Sequence, residues 1–403
     1  MSARDPNVPI RGPLDIGGQP EFVSRHRLML GIFAWNVAGG VGATRAQLID
    51  REHRRDFWRW PSALRLLQEA ERIGCEFQVP FGRWTGQHGV TGFNDDTLDF
   101  LAVASAPATA TSSILLPSTA HVTFGFHPVQ VARWGATLDV LSNGRWALNV
   151  VAGWIRDEAE MLGANYLDHG RRYELCDEFV TLMKLCWARD EPFDFDGDFF
   201  TARDVLVRPK SVRQPRPILV NAGASPAGID FAARHCDWLF VVGDPASMRA
   251  TGEQARTAAA RFGRTLRVCT FTYCVWDDTD ALAQTEFKLH RDLLDEGAVS
   301  WLLFRGLDQP GRGAGASFVP TPTGRPANTL REVVGEESFQ RYGLGIGAHQ
   351  LIGSYDRVAE EVRHMHEECG LDGILFSWLD PLRGLHQLED HVLPRLAAMG
   401  LRT

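Results

Sequence analysis

The sequence lacks the short motifs that mark several enzyme classes. Its seven cysteines are scattered, none forms a CxxC pair, and most lie in apolar segments, which favours reduced core thiols over a zinc site or a disulfide framework. There is no HExxH stretch, and His364 and His366 lie two residues apart on a predicted helix, where their side chains face different ways. No GxSxG elbow occurs, and no GxGxxG follows the first predicted strand. We therefore expect no metal, no nucleophile elbow and no dinucleotide fingerprint.

Positive charge and long apolar runs are also scarce. The formal net charge is −8, which argues against general nucleic-acid binding. No apolar run approaches the ~20 residues that a membrane span requires. The polar stretch from Met1 to Gly18 has no apolar core of the kind found in signal peptides. The prediction is a cytoplasmic protein that acts on a small molecule, with neither a nucleic-acid nor a membrane partner.

Short apolar runs alternate with helical periodicity along most of the 403 residues. The predicted strands are Leu28–Trp35, Glu76–Phe81, Ser113–Ser118, Trp146–Val151, Ile218–Ala222, Trp238–Val242, Arg267–Val275 and Gly373–Trp378. Helices are predicted between them, including one over Asp96–Ala108 and one that begins after Pro128, and Phe193–Leu206 alternates like a small β excursion. This order predicts an α/β protein whose eight parallel strands close a (β/α)8 TIM barrel with insertions. The alternative is an open doubly wound sheet, which the missing glycine fingerprint disfavours.

The predicted domain organisation is one barrel with two appendages. Residues 1–27 are expected to form a loosely attached N-terminal arm, and residues 28–403 a single barrel domain. The stretch Gly306–Pro326 is rich in glycine and proline and is too long for a routine connection. We expect a mobile insertion around 295–345, which either covers the site or serves as a plain linker.

The stretch around Trp146–Val151 holds the first candidate site. Asn149 is the only polar residue in this strand, and Gly153 and Trp154 follow at its exit. In a parallel α/β barrel, sites are built at the carboxyl ends of the strands. Glycine makes room for a flat ligand there, and tryptophan supplies an aromatic wall. The alternative is that Asn149 merely satisfies a neighbouring backbone group.

A second candidate site is the stretch NAGASPAG, residues 221–228, which follows a predicted strand and opens a helix. Gly223, Ala224 and Ser225 keep the loop small, and free N–H groups at a helix start favour a phosphate. The alternative is an ordinary loop with Ser225 as the helix N-cap. Arg172 and Tyr173, at the start of another predicted helix, have donors suited to a phosphate. Alternatively, Arg172 forms an ion pair at the surface and Tyr173 is an aromatic residue that only packs.

The run ATLDVLSNGRWALNVVAGW, followed by LDHGRRYELCDEF, resembles the bacterial-luciferase-type flavin-dependent monooxygenases. The resemblance runs from about Leu28 to the C-terminus and is greatest to the pyrimidine-ring oxygenase, dimethylsulfone monooxygenase and alkanesulfonate monooxygenase groups. It implies a luciferase-like TIM barrel that uses reduced FMN (FMNH2), with O2 as co-substrate. It also implies a separate NAD(P)H:flavin reductase that supplies the reduced FMN, and a homodimer or homotetramer. The absence of a dinucleotide fingerprint agrees with a separate reductase.

Roles for individual residues follow from the residues themselves and, for flavin binding, from the same resemblance. The catalytic candidates are Asn149, Trp154 and Thr119. The candidates for flavin binding are Gly82, Arg83, Asn149, Glu158, Arg172, Tyr173, Gly223, Ala224 and Ser225. The candidates for substrate binding are Trp35, Phe81, Trp84, His121 and Phe124. Alternatively, Arg83 is a solvated charge in a loop, and the aromatic residues only pack in the core.

The chain departs from the family pattern at one of these positions. In the ring-opening oxygenase an equivalent asparagine is paired with a threonine on the preceding strand. Here a straight alignment puts Ala120 at that position, with Thr119 beside it. The expected substrate is a small apolar, aromatic or heterocyclic, or organosulfur compound. Two other functions stay open, a hydride-transfer enzyme that uses flavin or F420 on the same barrel and a non-catalytic flavin-binding barrel.

Overall fold

The computed structural model describes residues 11–15, 26–307 and 330–402. The strands are β1 (Met29–Phe33), β2 (Phe77–Val79), β3 (Leu116–His121), β4 (Trp146–Val151), β5 (Phe193–Asp196), β6 (Thr201–Val205), β7 (Ile218–Asn221), β8 (Trp238–Phe240), β9 (Arg267–Asp277), β10 (His349–Ser354) and β11 (Gly373–Trp378). The helices are α1 (Arg51–Arg54), α2 (Ser62–Arg72), α3 (Ser105–Ala110), α4 (Pro128–Leu141), α5 (Arg156–Met161), α6 (His169–Ala188), α7 (Pro226–His235), α8 (Pro245–Ala260), α9 (Asp280–Asp292), α10 (Glu296–Leu307), α11 (Leu330–Val334), α12 (Glu336–Gly343), α13 (Tyr355–Glu367), α14 (Pro381–Gln387) and α15 (Leu393–Ala398). A π-helical turn over Leu388–Val392 joins the last two helices.

These elements form two compact units. The described part of the first unit consists of residues 11–15, 101–240 and 251–268. The described part of the second consists of residues 26–100, 241–250, 269–307 and 330–402.

In the first unit, four parallel strands are ordered β8-β7-β4-β3. Trp146 of β4 is fully buried, and a side chain at Gly135 of α4 would lie 2.4 Å from the Trp146 ring, so the glycine lets helix and strand approach closely. The Trp146 indole donates to Ser118 Oγ of β3 at 3.0 Å. On the same helix, the Ala132 carbonyl accepts from the Trp187 indole of α6 at 2.9 Å. Two buried tryptophans therefore fix α4 and α6 against the strands that carry the candidate site.

In the second unit, the strands are ordered β2-β1-β11-β9, and β10 pairs with β9. All of these pairings are parallel. The residues of β1, β2 and β11 are almost all buried, as expected for parallel strands covered on both faces.

The eight predicted strands correspond to β1, β2, β3, β4, β7, β8, β9 and β11. The bounds of β4 and β11 agree with the prediction to the residue, and α4 begins at Pro128 as expected. The predicted β excursion is the antiparallel hairpin of β5 and β6. The strand β10 was not predicted.

The predicted helix over Asp96–Ala108 is wrong for its first half, because α3 begins only at Ser105 after a short 3₁₀ turn. The backbone groups of this segment bind the loop that follows β1 instead. Ala38 N–H donates to the Asp96 carbonyl at 2.9 Å, and Leu98 N–H donates to the Asn36 carbonyl at 2.9 Å. Helical spacing of apolar residues cannot reveal such a long-range competitor.

The third strand lies three residues later than predicted, over Leu116–His121 instead of Ser113–Ser118. The pairing with β4 sets this register, because Leu116 lies opposite Trp146 and Thr119 lies opposite Asn149. Thr119 and His121 are therefore strand residues and do not belong to the loop after the strand.

Much of the two predicted appendages lies outside the described residues. Residues 308–326 of the predicted mobile stretch are among these, while residues 306 and 307 end α10. Within the predicted arm, residues 11–15, here called the amino-terminal clip, are described and contact the first unit. The carboxylate of Asp15 accepts from Arg264 Nε at 3.2 Å and from Thr265 N–H at 2.6 Å.

The clip completes a buried ionic cluster. Asp237, fully buried just before β8, binds Arg216 through two hydrogen bonds of 2.6 and 3.1 Å and Arg264 through one of 2.9 Å. A side chain at Gly12 would collide with this carboxylate. Two guanidinium groups thus face two carboxylates, which balances charges that would be costly to bury alone.

Candidate functional site

Asn149 and Thr119 lie side by side on β4 and β3, in direct register. Both are buried, and Asn149 Nδ2 donates to Thr119 Oγ1 at 3.4 Å. Asn149 Oδ1 is buried and has no hydrogen-bond partner among the described residues. A buried, unsatisfied amide oxygen is costly in a protein that only needs to fold. Ala120 lies opposite Val150, so Thr119 is the threonine that faces the asparagine.

A tyrosine hydroxyl lies against the loop that opens α7. A side chain at Gly223 would come within 2.1 Å of the Tyr173 hydroxyl, and one at Gly228 within 2.6 Å. Burial is the main reason that the pKa of Tyr173 is raised, and a hydrogen bond to Ser225 lowers it in part. The hydroxyl therefore stays protonated and can donate a hydrogen bond. The structure therefore brings the predicted residues Tyr173, Gly223 and Ser225 together.

Ser225 also has the structural role that the sequence left open. It is the N-cap of α7, and its Oγ accepts from Gly228 N–H at 3.1 Å. Pro226, the first helical residue, has no N–H. The N–H groups of Ala224 and Ser225 have no acceptor in the part of the chain that the structure describes. The start of α7 therefore combines unused backbone donors with a positive helix-dipole end, a combination that suits an anion.

Arg172 is buried at the start of α6 and is not a surface ion pair. Its Nη1 donates to the Gly153 carbonyl, and its guanidinium carbon lies 4.8 Å from the centre of the Tyr166 ring. The buried Nε has no partner among the described residues. The Tyr166 hydroxyl donates to the Trp154 carbonyl at 3.2 Å. Arg172 and Tyr166 thus hold the loop after β4, which carries the half-buried Trp154.

His121 and Glu158 form a buried acid–imidazole pair. Glu158 is 1% exposed and His121 3% exposed, and Glu158 Oε2 lies 4.0 Å from His121 Nδ1. The His121 ring also packs against Phe124, with centroids 5.3 Å apart. Gly153 has a φ of +69°, and a side chain there would lie 2.5 Å from the Phe124 ring. Glycine at the strand exit therefore makes room for Phe124 and for a left-handed backbone.

The predicted residues of the second unit are also buried. Trp35 is 1% exposed, and its indole donates to Gln78 Oε1. Arg83, next to Gly82, is 1% exposed, and its guanidinium carbon lies 4.4 Å from the centre of the Phe81 ring. Trp84 packs edge-on against Phe100, with centroids 5.1 Å apart. Arg83 is therefore not a solvated loop charge, while its role toward a flavin stays a prediction.

The match to a family model identifies the chain. The model of the luciferase-like monooxygenases matches residues 30–372. The chain belongs to the luciferase-like monooxygenase family. Pyrimidine monooxygenase RutA of Yersinia enterocolitica serotype O:8 / biotype 1B is 31% identical over 337 residues, which cover 82% of this chain and 86% of that protein. RutA of Acinetobacter baylyi is 28% identical over 340 residues, which cover 83% and 87%. The resemblance seen in the sequence is confirmed, and this luciferase-like protein is a flavin-dependent monooxygenase.

Solved structures confirm the fold class of this luciferase-like monooxygenase. A riboflavin lyase, RcaE, aligns with a TM-score of 0.77 at 21% identity, over 94% of this chain and 93% of that one. The long-chain alkane monooxygenase LadA aligns with a TM-score of 0.75 at 18% identity, over 94% and 93%. With eight parallel strands that alternate with helices, the fold is the predicted (β/α)8 TIM barrel.

The sequence did not predict the roles of two residues of this luciferase-like monooxygenase. The guanidinium carbons of Arg156 and Arg172 lie 4.9 and 4.8 Å from the centre of the Tyr166 ring. No sequence signal marks that role. Asn221 donates to the Val150 carbonyl at 2.8 Å and accepts from Gly223 N–H at 2.9 Å, which fixes the loop before α7. Asn221 ends an apolar strand, just as Asn149 interrupts one. A polar residue in an apolar strand was therefore the sequence signal that could have identified Asn221.

The described residues contain no group of three or more His, Cys, Asp or Glu side chains arranged to hold a metal ion. None of the helices described here is long and apolar enough to cross a membrane. All seven cysteines are buried free thiols.

Proposed function

We propose that this chain is the oxygenating component of a two-component system. It accepts reduced FMN from a separate NAD(P)H:flavin reductase and uses O2 to oxygenate a small apolar, aromatic or heterocyclic, or organosulfur substrate. The buried free thiols are consistent with a reducing, cytoplasmic setting. We further propose that the enzyme assembles as a homodimer or homotetramer.

The loop that opens α7 carries this proposal. The residues present fit the phosphate end of a flavin, because the hydroxyls of Tyr173 and Ser225 lie together at the start of α7, where the N–H groups of Ala224 and Ser225 have no acceptor among the described residues. Every group in this set is a hydrogen-bond donor and none is a carboxylate, which is the chemistry that a phosphate dianion requires. Arg172, buried one residue before Tyr173, adds a positive charge.

Thr119 and Asn149 would act at the reacting end of the flavin. A bound reduced flavin supplies the electrons for oxygen activation. The chain's part is to hold the flavin edge and dioxygen and to keep water away. The unpartnered Asn149 Oδ1 is an acceptor in place before any ligand arrives, and Thr119 Oγ1 fixes the other end of the amide. Trp154, on the loop held by Arg172, is proposed to shield this site.

The substrate class rests on the aromatic residues and on the curated relatives. Trp35, Phe81, Trp84, His121 and Phe124 are the residues proposed to contact the substrate. Flat rings of this kind favour apolar or aromatic substrates. The similar proteins described as pyrimidine monooxygenases make heterocycles the first compounds to test.

The test is an anaerobic titration with reduced FMN, followed by addition of oxygen and then by a substrate panel analysed by mass spectrometry. We expect reduced FMN to bind much more tightly than NADPH, and one oxygen atom from labelled dioxygen to appear in the product. Oxidation of reduced FMN that needs a hydride acceptor and no oxygen would favour a hydride-transfer enzyme. Tight NADPH binding with turnover in the absence of a reductase would refute the two-component system.

A further inference from the structure

His121 lies on the same face of β3 as Thr119. The two residues are two positions apart in the strand, so their side chains point to the same side of the sheet. Thr119 Oγ1 accepts from Asn149 Nδ2, and this pair is proposed to act at the reacting end of the flavin. His121 is therefore about 6–7 Å further along the strand than Thr119, toward the carboxyl end, where the sites of such barrels are built.

A carboxylate and an aromatic ring lie against the His121 imidazole. Glu158 of α5 is buried with His121, and its Oε2 lies 4.0 Å from His121 Nδ1. The uncharged Phe124 ring packs on the imidazole, with centroids 5.3 Å apart. A further charge joins this set of contacts through Arg172, which donates to the carbonyl of Gly153, the residue that packs against Phe124. The surroundings of the imidazole thus combine one carboxylate in close contact with one more distant guanidinium.

This arrangement suits the transfer of a proton. An imidazole titrates near neutral pH, so it can release and take up a proton in each turnover. An adjacent carboxylate fixes the orientation of the ring and favours its protonated form. The distance of 4.0 Å between Glu158 and His121 is longer than a hydrogen bond, and contacts between catalytic groups often shorten only when ligands bind.

We propose that His121 donates a proton to the oxygen atom that leaves as water, and that Glu158 is a positioning residue that acts through His121. This inference rests on the proposed function, because it requires reduced FMN and O2 beside Thr119 and Asn149. In the overall reaction the O–O bond breaks and one oxygen atom bonds to the substrate. The other becomes water, with two electrons and two protons that come from reduced FMN. The His121 imidazolium gives one proton to this second atom and recovers one of the two that are released as FMN forms.

The first measurement needs no flavin. The pKa of His121 is determined by NMR titration of the flavin-free, full-length protein, with its signal assigned by its loss in His121→Gln. Glu158→Gln keeps the size of the side chain and removes its charge, so the pKa of His121 should fall by about one unit or more. Glu361→Gln is the matched control, because Glu361 of α13 pairs with His349 of β10 at 2.6 Å and has no part in the proposed site.

The second measurement is the pH profile of single-turnover oxidation of bound reduced FMN by O2, at saturating flavin. Without a substrate, the same two electrons and two protons convert O2 into hydrogen peroxide, so the substrate need not be known. A donor must carry its proton, so the wild-type rate should fall as the pH rises through the pKa of His121. In Glu158→Gln this fall should move to lower pH by the same amount as the pKa measured by NMR. In His121→Gln the pH dependence should disappear, and the rate at low pH should be about 100-fold lower or more.

The two measurements distinguish failure of the inference from failure of the proposed function. An unchanged pKa of His121 in Glu158→Gln overturns the role of Glu158. If that pKa moves and the pH profile does not, another group supplies the proton and the role of His121 is overturned. His121→Gln with the wild-type rate overturns it as well, and so does a pH profile that Glu361→Gln moves as far as Glu158→Gln does. If the wild type does not bind reduced FMN, the proposed function is overturned together with the inference.

Discussion

Replacing Asn149 with alanine should remove catalysis while leaving stability nearly unchanged. The hydrogen bond from Asn149 Nδ2 to Thr119 Oγ1 is long, at 3.4 Å, so its loss should cost less than the ~1 kcal/mol of a typical bond. The same change removes the buried, unpartnered Oδ1, whose burial costs about 1–3 kcal/mol. Since these effects oppose each other and a small cavity remains, the free energy of unfolding should change by less than about 1 kcal/mol.

The chemical step should respond far more strongly. Loss of one preorganised polar group at a reacting centre typically lowers the rate by ~100-fold or more. We expect a decrease of that size in single-turnover oxidation of bound reduced FMN, measured by stopped-flow absorbance, with flavin affinity nearly retained. Urea unfolding of the same preparation measures the stability.

The matched comparison is Ser225→Ala, which should show the opposite pattern. Ser225 caps α7, so its loss should destabilise the protein by ~1 kcal/mol and weaken FMN binding, while the chemical step at saturating flavin is retained. The reasoning about Asn149 is refuted if Asn149→Ala unfolds several kcal/mol more easily and its folded fraction oxidises flavin at the wild-type rate.

Gly223→Ala should weaken FMN binding by about tenfold or more, because the added methyl would lie 2.1 Å from the Tyr173 hydroxyl. Fluorescence titration measures the affinity for FMN. The control is Gly252→Ala, where the added methyl would have no atom nearer than 3.4 Å. The second prediction concerns His235, whose pKa is lowered to about 3, chiefly by burial. Below about pH 6.5 the unfolded chain binds a proton there that the folded protein does not, so stability should fall from that pH toward pH 3, by up to ~1.4 kcal/mol per unit. Urea unfolding at about pH 5 and pH 7 tests this, and an unchanged pH dependence in His235→Gln would contradict it.

The sequence predicted the elements of this protein well where one strand or helix determines its own limits. The run Trp146–Val151 is apolar and ends at glycine, and α4 begins at a proline, so local chemistry fixes both. Prediction from the sequence failed where residues distant in the chain bind the backbone N–H and carbonyl groups of a segment. The segment Asp96–Leu98 binds the loop after β1, and the register of β3 is set by its pairing with β4.

The candidate site shows the same division. Its strand-end and loop residues were found because polar or small residues interrupt apolar runs. The depth at which Arg83 and Arg172 are buried could not be read from the sequence, since a charged residue in a loop looks the same whether solvated or enclosed. Tyr166 was missed for the related reason that a cation–π contact depends on side chains brought together by the fold.

The amino-terminal clip has a consequence for how the chain is made. Asp15 and its partner Arg264 are separated by 249 residues. At about 5–20 residues per second, roughly ten to fifty seconds pass between the synthesis of the two. During that interval the carboxylate of Asp15 has no Arg264 to bind. The ionic cluster around Asp237 forms only after nearly two thirds of the chain has emerged from the ribosome. Deletion of residues 11–15 is therefore expected to act on a late closing step of cotranslational folding.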